Sequence, residues 1–318
     1  MLVACSPDGP TKEASTTATD VLDLTQEWDD PPPFGLQIRS PEFEIPPNSE
    51  VLKCFFGRYE GADVGVIYMQ PQQATGIAHH NQLKEVPQDD PHQDGELIDC
   101  PQPEGSMAPY APLFEGVGIT ADEVDENWLR MPEGIAVQLR GGQRWVMDMH
   151  FLNTTDQTVR VNDVVNLGFV EWDEVEHWAS SFQLDAGDFV VTAGTTSVQE
   201  FACTWETDVT LLSLLGHMHL NGHRYSITWQ HGDGSQESVY EVYPWLPEYR
   251  DYPVMYNFAD GDVVMRAGDS FITRCEWNNT TSEDMQFPTE MCTSVGVVYP
   301  SEEPLFCVES QSGIGSWQ

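Results

Sequence analysis

From Phe34 onward the sequence is divided into short β-prone runs, and this punctuation limits the possible folds more than any other feature. Runs at 64–69, 135–139, 145–152, 158–165, 189–192, 209–215, 225–229 and 295–299 are rich in β-branched, aliphatic and aromatic residues. Stretches carrying Gly, Pro, Asn or Asp separate them. In Trp145-Val146-Met147-Asp148-Met149-His150 successive side chains point to opposite faces of a strand. Long capped patterns of period 3.6 are absent, and one short helix is expected near 122–128, with Thr120 as its cap. Many short strands among 25 Gly and 22 Pro specify an all-β chain built from antiparallel sandwiches. Gly232-Asp233-Gly234 reads as a hairpin turn.

A length of 318 residues accommodates two domains of ordinary size. The boundary is expected near 172–181, where an acidic stretch ends and a new run of strands begins at Phe182. The expected organisation is a 1–33 N-terminal segment, domains over 34–174 and 175–310, and a 311–318 tail. No sequence repeat relates the halves.

The charge balance is 13 Lys+Arg against 52 Asp+Glu, a net charge of −39. Nucleic acid is excluded as a partner, because phosphate binding needs clustered Lys and Arg. The acidic residues are spread along the chain, as a solvated surface would have them. No stretch approaches the roughly 20 uninterrupted apolar residues of a membrane-spanning helix.

Of the seven cysteines, Cys5 stands apart in Leu2-Val3-Ala4-Cys5-Ser6. That string looks like the lipobox of a bacterial lipoprotein, so lipidation of Cys5 is expected, with the Thr-, Ser-, Asp- and Pro-rich residues 6–33 as tether. The other six, Cys54, Cys100, Cys203, Cys275, Cys292 and Cys307, suffice for three bridges in an oxidising compartment. No CxxC pair points to a zinc ribbon or a thioredoxin-like motif.

Six residues suggest metal chemistry. His217 and His219, two apart at the end of the apolar run 211–215, can face one side together. Met291 lies in Glu290-Met291-Cys292, and two imidazoles with a thioether make a donor set that favours Cu(I) over zinc. His79 and His80 are adjacent, so both cannot face one side of a regular strand, and a loop or bulge is expected there. His150 ends the alternating run 145–150.

His-His, a lone strand His, HxH and Glu-Met-Cys, in this order across two β-rich halves, resemble the copper type II ascorbate-dependent monooxygenases. The resemblance covers about residues 34–308. It implies two tandem jelly-roll-like antiparallel β-sandwich domains, and bridges Cys54–Cys100, Cys203–Cys307 and Cys275–Cys292. It implies two coppers per chain: an electron-transfer copper on His79, His80 and His150, and an oxygen-activating copper on His217, His219 and Met291. It further implies O2 as co-substrate, ascorbate or a similar reductant, and hydroxylation of a C–H bond in a small molecule.

Some positions depart from the family pattern. Leu215 stands where the peptide-amidating branch has an arginine that holds the peptide carboxylate. Thr293 and Val295 replace that branch's asparagine and tyrosine, and together these changes argue against peptidylglycine as substrate. Asp148 replaces a common glutamine two residues before the lone histidine. The competing expectation is a non-catalytic extracytoplasmic copper-binding protein.

Overall fold

The computed structural model describes residues 21–25, 30–74, 76–100, 112–117, 130–187, 189–250, 253–259, 261–287, 289–309 and 315–317. Cys5 and the helix expected at 122–128 lie outside them. The described residues form an all-β, predominantly antiparallel sandwich fold. Their only helical turns are two short 3-10 segments, Trp172–Glu174 and Pro247–Arg250.

One long sheet runs through both halves. It carries, in order, Met255–Asn257, Val209–His217, Thr293–Tyr299, His177–Asp185, Ile135–Leu139, Val64–Gln72, Val164–Glu171 and Gly35–Arg39, with three short strands at its side. His177–Asp185 joins the halves. Its first three residues pair in parallel with Ile135–Val137, and Ser180–Asp185 pair antiparallel with the strand Thr293–Tyr299.

A five-stranded sheet belongs to the first half: Leu97–Asp99, Ser49–Arg58, Arg144–Asn153, Ala78–Val86 and Pro112–Val117. A four-stranded sheet belongs to the second: Thr196–Thr204, Ser270–Asn278, Gly222–Gln230 and Gln236–Val242. Buried residues fall into two large clusters. One holds Ile38 through Ala179 and also draws Leu212, Val297 and Tyr299 from later in the chain. The other holds Phe182 through Cys307. The clusters divide between Ala179 and Phe182 apart from Leu212, while the sheet continues across that point.

The two halves share a hydrogen-bonded framework that residue identity barely signals. In the first, Asp63 accepts from Gly141 N and Arg140 Nη1, Arg140 N donates to Gln143 Oε1, and Gly142 N donates to Tyr59 O. In the second, Asp208 accepts from Ala267 N and Arg266 Nη1, Arg266 N donates to Asp269 Oδ2, and Gly268 N donates to Trp205 O. Gly142 and Gly268 both take positive φ, 80° and 95°, a conformation that disfavours a side chain.

Each framework turn leads into an inner strand of the five- or four-stranded sheet of its half, Arg144–Asn153 or Ser270–Asn278. Each of these strands leads to an Asn-Thr-Thr turn. The Asn153 and Asn279 side-chain oxygens accept from the N–H and hydroxyl of Thr155 and Thr281, and their amides donate to nearby carbonyls. The likeness between the halves thus resides in turn chemistry rather than in the strands between.

Several expectations are revised. Residues 189–192 form no strand: Val191 makes one isolated bridge to Met285. The segment is held instead by Phe189, whose ring stacks 5.1 Å from Trp277. The run 158–165 is two strands, Val159–Val161 and Val164–Glu171, divided at Asn162-Asp163. Leu22–Asp23, expected within a tether, pairs with Val159–Arg160, and Leu24 packs on the first core. Gly315–Trp317, expected as tail, pairs with Cys307–Glu309. The hairpin at 231–235 forms as expected, with Gly234 at φ 86°.

Candidate metal centres

All three bridges are formed: Cys54–Cys100, Cys203–Cys307 and Cys275–Cys292. This is the pairing the family resemblance implies, and it indicates an oxidising, extracytoplasmic setting. Among the described residues no helix is long and apolar enough to cross a membrane.

In the first half the site builds from strand alternation. Trp145, Met147, Met149 and Phe151 enter the main core. The opposite face of the same strand presents Val146, Asp148 and His150, level with Phe56, Cys54 and Leu52 on the neighbouring strand. His150 is thereby kept out of the main core, and its Nε2 lies 2.8 Å from Glu50 Oε1. A carboxylate only accepts, so the Nε2 proton points to Glu50.

On the other side His80 pairs with His150 and Ala78 pairs with Phe151. His79 is the extra residue of a β-bulge, the irregularity expected for adjacent histidines. The side chains of His79 and His80 lie outside the described residues. Below this level, Lys84 Nζ donates to Asp148 Oδ2 at 2.7 Å, in a pair whose side chains are 11% and 3% exposed. The departure at Asp148 is therefore accompanied by a buried lysine that neutralises it.

In the second half the strand Val209–His217 runs out of the core, and its last residue pairs with Thr293. Met218 is fully buried, so alternation leaves His217 and His219 half-buried on the other side, their ring centroids 5.1 Å apart at 83°. His219 is fixed three times: its N–H donates to Glu290 Oε2 at 3.0 Å, its carbonyl accepts from Trp245 Nε1 at 3.1 Å, and its Nδ1 lies 3.0 Å from Thr289 O. A carbonyl cannot donate, so Nδ1 carries the proton and Nε2 is left with the lone pair a metal needs.

Met291 is half-buried two residues before Thr293, on the segment that enters the strand beside His217. Cys292, next to it, is bridged to Cys275 on an inner strand of the four-stranded sheet. The fold thus runs the segment bearing Met291 alongside the corner that carries His217 and His219. Among the described residues no three His, Cys, Asp or Glu side chains are grouped to hold a metal. The candidate donors on these two segments are the paired imidazoles of His217 and His219 and the thioether of half-buried Met291.

The duplicated framework relates the two histidine sets. Each lies where the strand following Asp63 or Asp208 ends and the next strand begins, near Ala78 in one half and near Gly222 in the other. The third candidate position differs. Counting back equally from Asn153 and Asn279, His150 corresponds to Glu276, which pairs with Arg274 and Arg224. The second corner takes Met291 from another segment.

Leu215, at the departed arginine position, is buried between Met255 and Val295 and offers no charge. Asp185 lies in the same cross-strand row as His217 and Thr293. Burial pushes its carboxyl above the usual carboxylate range, and Gln183 and Thr293 offset this by donating to it. The remaining described histidines have structural partners: His92 stacks on Phe56, His177 on Tyr299, His231 pairs with Glu237, and His223 meets the edge of Tyr243. Sequence reasoning gave no role to Glu50, Trp245 or Thr289. Glu and Thr are common on exposed surfaces, and only the folded pairing singles these out.

No family model matches the sequence, and no curated protein matches it. Among solved structures, the Gt strain of infectious bursal disease virus aligns at 10% identity over 87% of this chain and 77% of that one, with a TM-score of 0.23. A VP2 subviral particle of infectious bursal disease virus aligns at 9% identity over 87% and 75%, with a TM-score of 0.22. Scores this low carry no argument about this chain.

Proposed function

We propose that this protein is an extracytoplasmic copper monooxygenase that uses O2 and ascorbate or a similar reductant to hydroxylate a C–H bond of a small molecule. The observation that carries the reading is the adjacent pair of His217 and His219 rings, with His219 held in the tautomer that frees Nε2, next to the segment that bears Met291. Bound copper would supply one-electron redox chemistry and activation of O2. The protein's contribution is to hold two neutral imidazoles and a thioether, a set that accommodates Cu(I).

At the first corner Glu50 orients His150 beside the His79–His80 bulge. Carboxylate partners of this kind raise ligand basicity and hold ring orientation. Leu215 removes the charge a peptide carboxylate would need, so the substrate is a small molecule other than peptidylglycine. Cys5 would carry a lipid anchor to the cell surface.

The assignment of ligands is tested by copper stoichiometry after loading and dialysis. Wild type is expected to hold two coppers per chain. His79→Ala/His80→Ala and His217→Ala/His219→Ala are each expected to hold one. Fewer than one copper in wild type, or equal stoichiometry in all three proteins, overturns it.

A further inference from the structure

Glu290 is fully buried, yet among the described residues no cation pairs with it. Four neutral donors converge on its two oxygens. Oε2 accepts from His219 N at 3.0 Å and from Trp277 Nε1 at 3.1 Å. Oε1 accepts from Asn221 N at 2.8 Å and from Asn221 Nδ2 at 3.0 Å. Every one of these groups is a donor, so the site requires an acceptor at both positions. A buried carboxylate is costly, and a fold retains one where such bonds compensate it. The residues joined are informative: three bonds reach the loop bearing His219 and Asn221, and Glu290 itself precedes Met291.

We infer that Glu290 is a positioning residue, an acceptor-only clamp that sets the Met291 thioether against the His217–His219 pair and so tunes that corner for Cu(I). The inference rests on the copper reading above. Two neighbouring contacts tighten the same joint: Asn221 Nδ2 lies 3.2 Å from the Met285 sulfur, and Cys292 is bridged to Cys275. Glu290→Gln is nearly isosteric but turns one acceptor into a donor facing two donors. That end of the clamp must open, whichever way the amide is turned. Asn221→Ala removes one bond and leaves the backbone bond in place, so it keeps the test independent of how Glu290→Gln folds.

The experiment uses full-length protein in a Cys5→Ser background, so that no free thiol competes for copper. Wild type, Glu290→Gln, Asn221→Ala and Met291→Ala are checked for folding by near-UV circular dichroism. Affinities for Cu(I) and Cu(II) are measured separately, and sulfur scattering is read from X-ray absorption of the Cu(I) form. Wild type is expected to show a copper–sulfur signal that Met291→Ala lacks. Glu290→Gln is expected to lose about 10- to 100-fold in Cu(I) affinity, with a weakened sulfur signal and a smaller change for Cu(II). Asn221→Ala is expected to move in the same direction by less. A clamp that merely supported the fold would lower the melting temperature and leave the Cu(I)/Cu(II) ratio unchanged. Undiminished sulfur signal and ratio in folded Glu290→Gln, or in Asn221→Ala if Glu290→Gln does not fold, overturns the inference alone. Absence of sulfur in wild type overturns the ligand reading and the inference with it.

Discussion

Asp163 is enclosed in the first core, where the chain passes from Val159–Val161 to Val164–Glu171. Burial pushes its carboxyl from an ordinary value of 3.8 up to about 7, although a hydrogen bond from Gln73 offsets part of the rise. The unfolded chain releases this proton near the ordinary value. Between about pH 4 and 7 the folded protein therefore holds a proton that the unfolded chain has lost, and stability falls as pH rises through that window. A separation of about 3 pH units, at about 1.4 kcal/mol per unit, makes a penalty of about 4 kcal/mol above pH 7.

Asp163→Asn keeps the shape and an acceptor for Gln73 Nε2, and it cannot ionise. The variant should match wild type near pH 4 and exceed it by up to about 4 kcal/mol at pH 8. Urea unfolding of both proteins at several pH values measures the difference. Subtraction cancels groups with the opposite trend, such as Asp63 and Asp208. Backbone N–H groups, then arginines, hold those carboxyls low, so their contributions fade as pH falls. Parallel profiles, or a variant less stable at pH 8, would refute the reasoning.

Other perturbations test other parts of the account. Lys84→Met strands the Asp148 carboxylate and should cost about 3–5 kcal/mol, whereas Lys84→Met with Asp148→Leu should restore most of the loss in denaturant melts. Gly216→Ala should cost about 1–3 kcal/mol and weaken copper binding at the adjacent His217, because an added Cβ would meet the Tyr225 ring at 2.3 Å. Asn153→Ala and Asn279→Ala should each cost about 1–3 kcal/mol. Their amides are committed to carbonyls, so mass spectrometry after expression in a glycosylating host should find both asparagines unmodified, despite their Asn-Thr-Thr sequences.

Alternation made much of the fold legible. In 145–150 the identity of every second side chain already separates the core face from the face that bears His150. The bulge at His79–His80 followed from the impossibility of aiming two neighbours to one side. Strand limits were clear where Gly and Asn mark turns, and failed at 189–192, where Phe189 and Val191 are anchored by side chains rather than by a partner strand. The shared framework escaped notice because it resides in Arg140, Gly142, Asn153 and Thr155 with their counterparts, too few identities among diverged strand residues. Glu50 and Thr289 were hidden for a different reason: each acts on a histidine far away in sequence, and strand pairing alone brings them together. Met291 is marked in the sequence by its neighbours Glu290 and Cys292, while the placing of its segment beside His217 depends on the register of Thr293.

The central claim is tested most directly by oxygen uptake driven by ascorbate, measured on copper-loaded wild type and on Met291→Ala beside their copper content. The account predicts two coppers per wild-type chain, with uptake that the variant loses. Two coppers with the same uptake in both proteins, or with none in wild type, would contradict it and leave a copper-binding protein that does not turn over O2 at Met291.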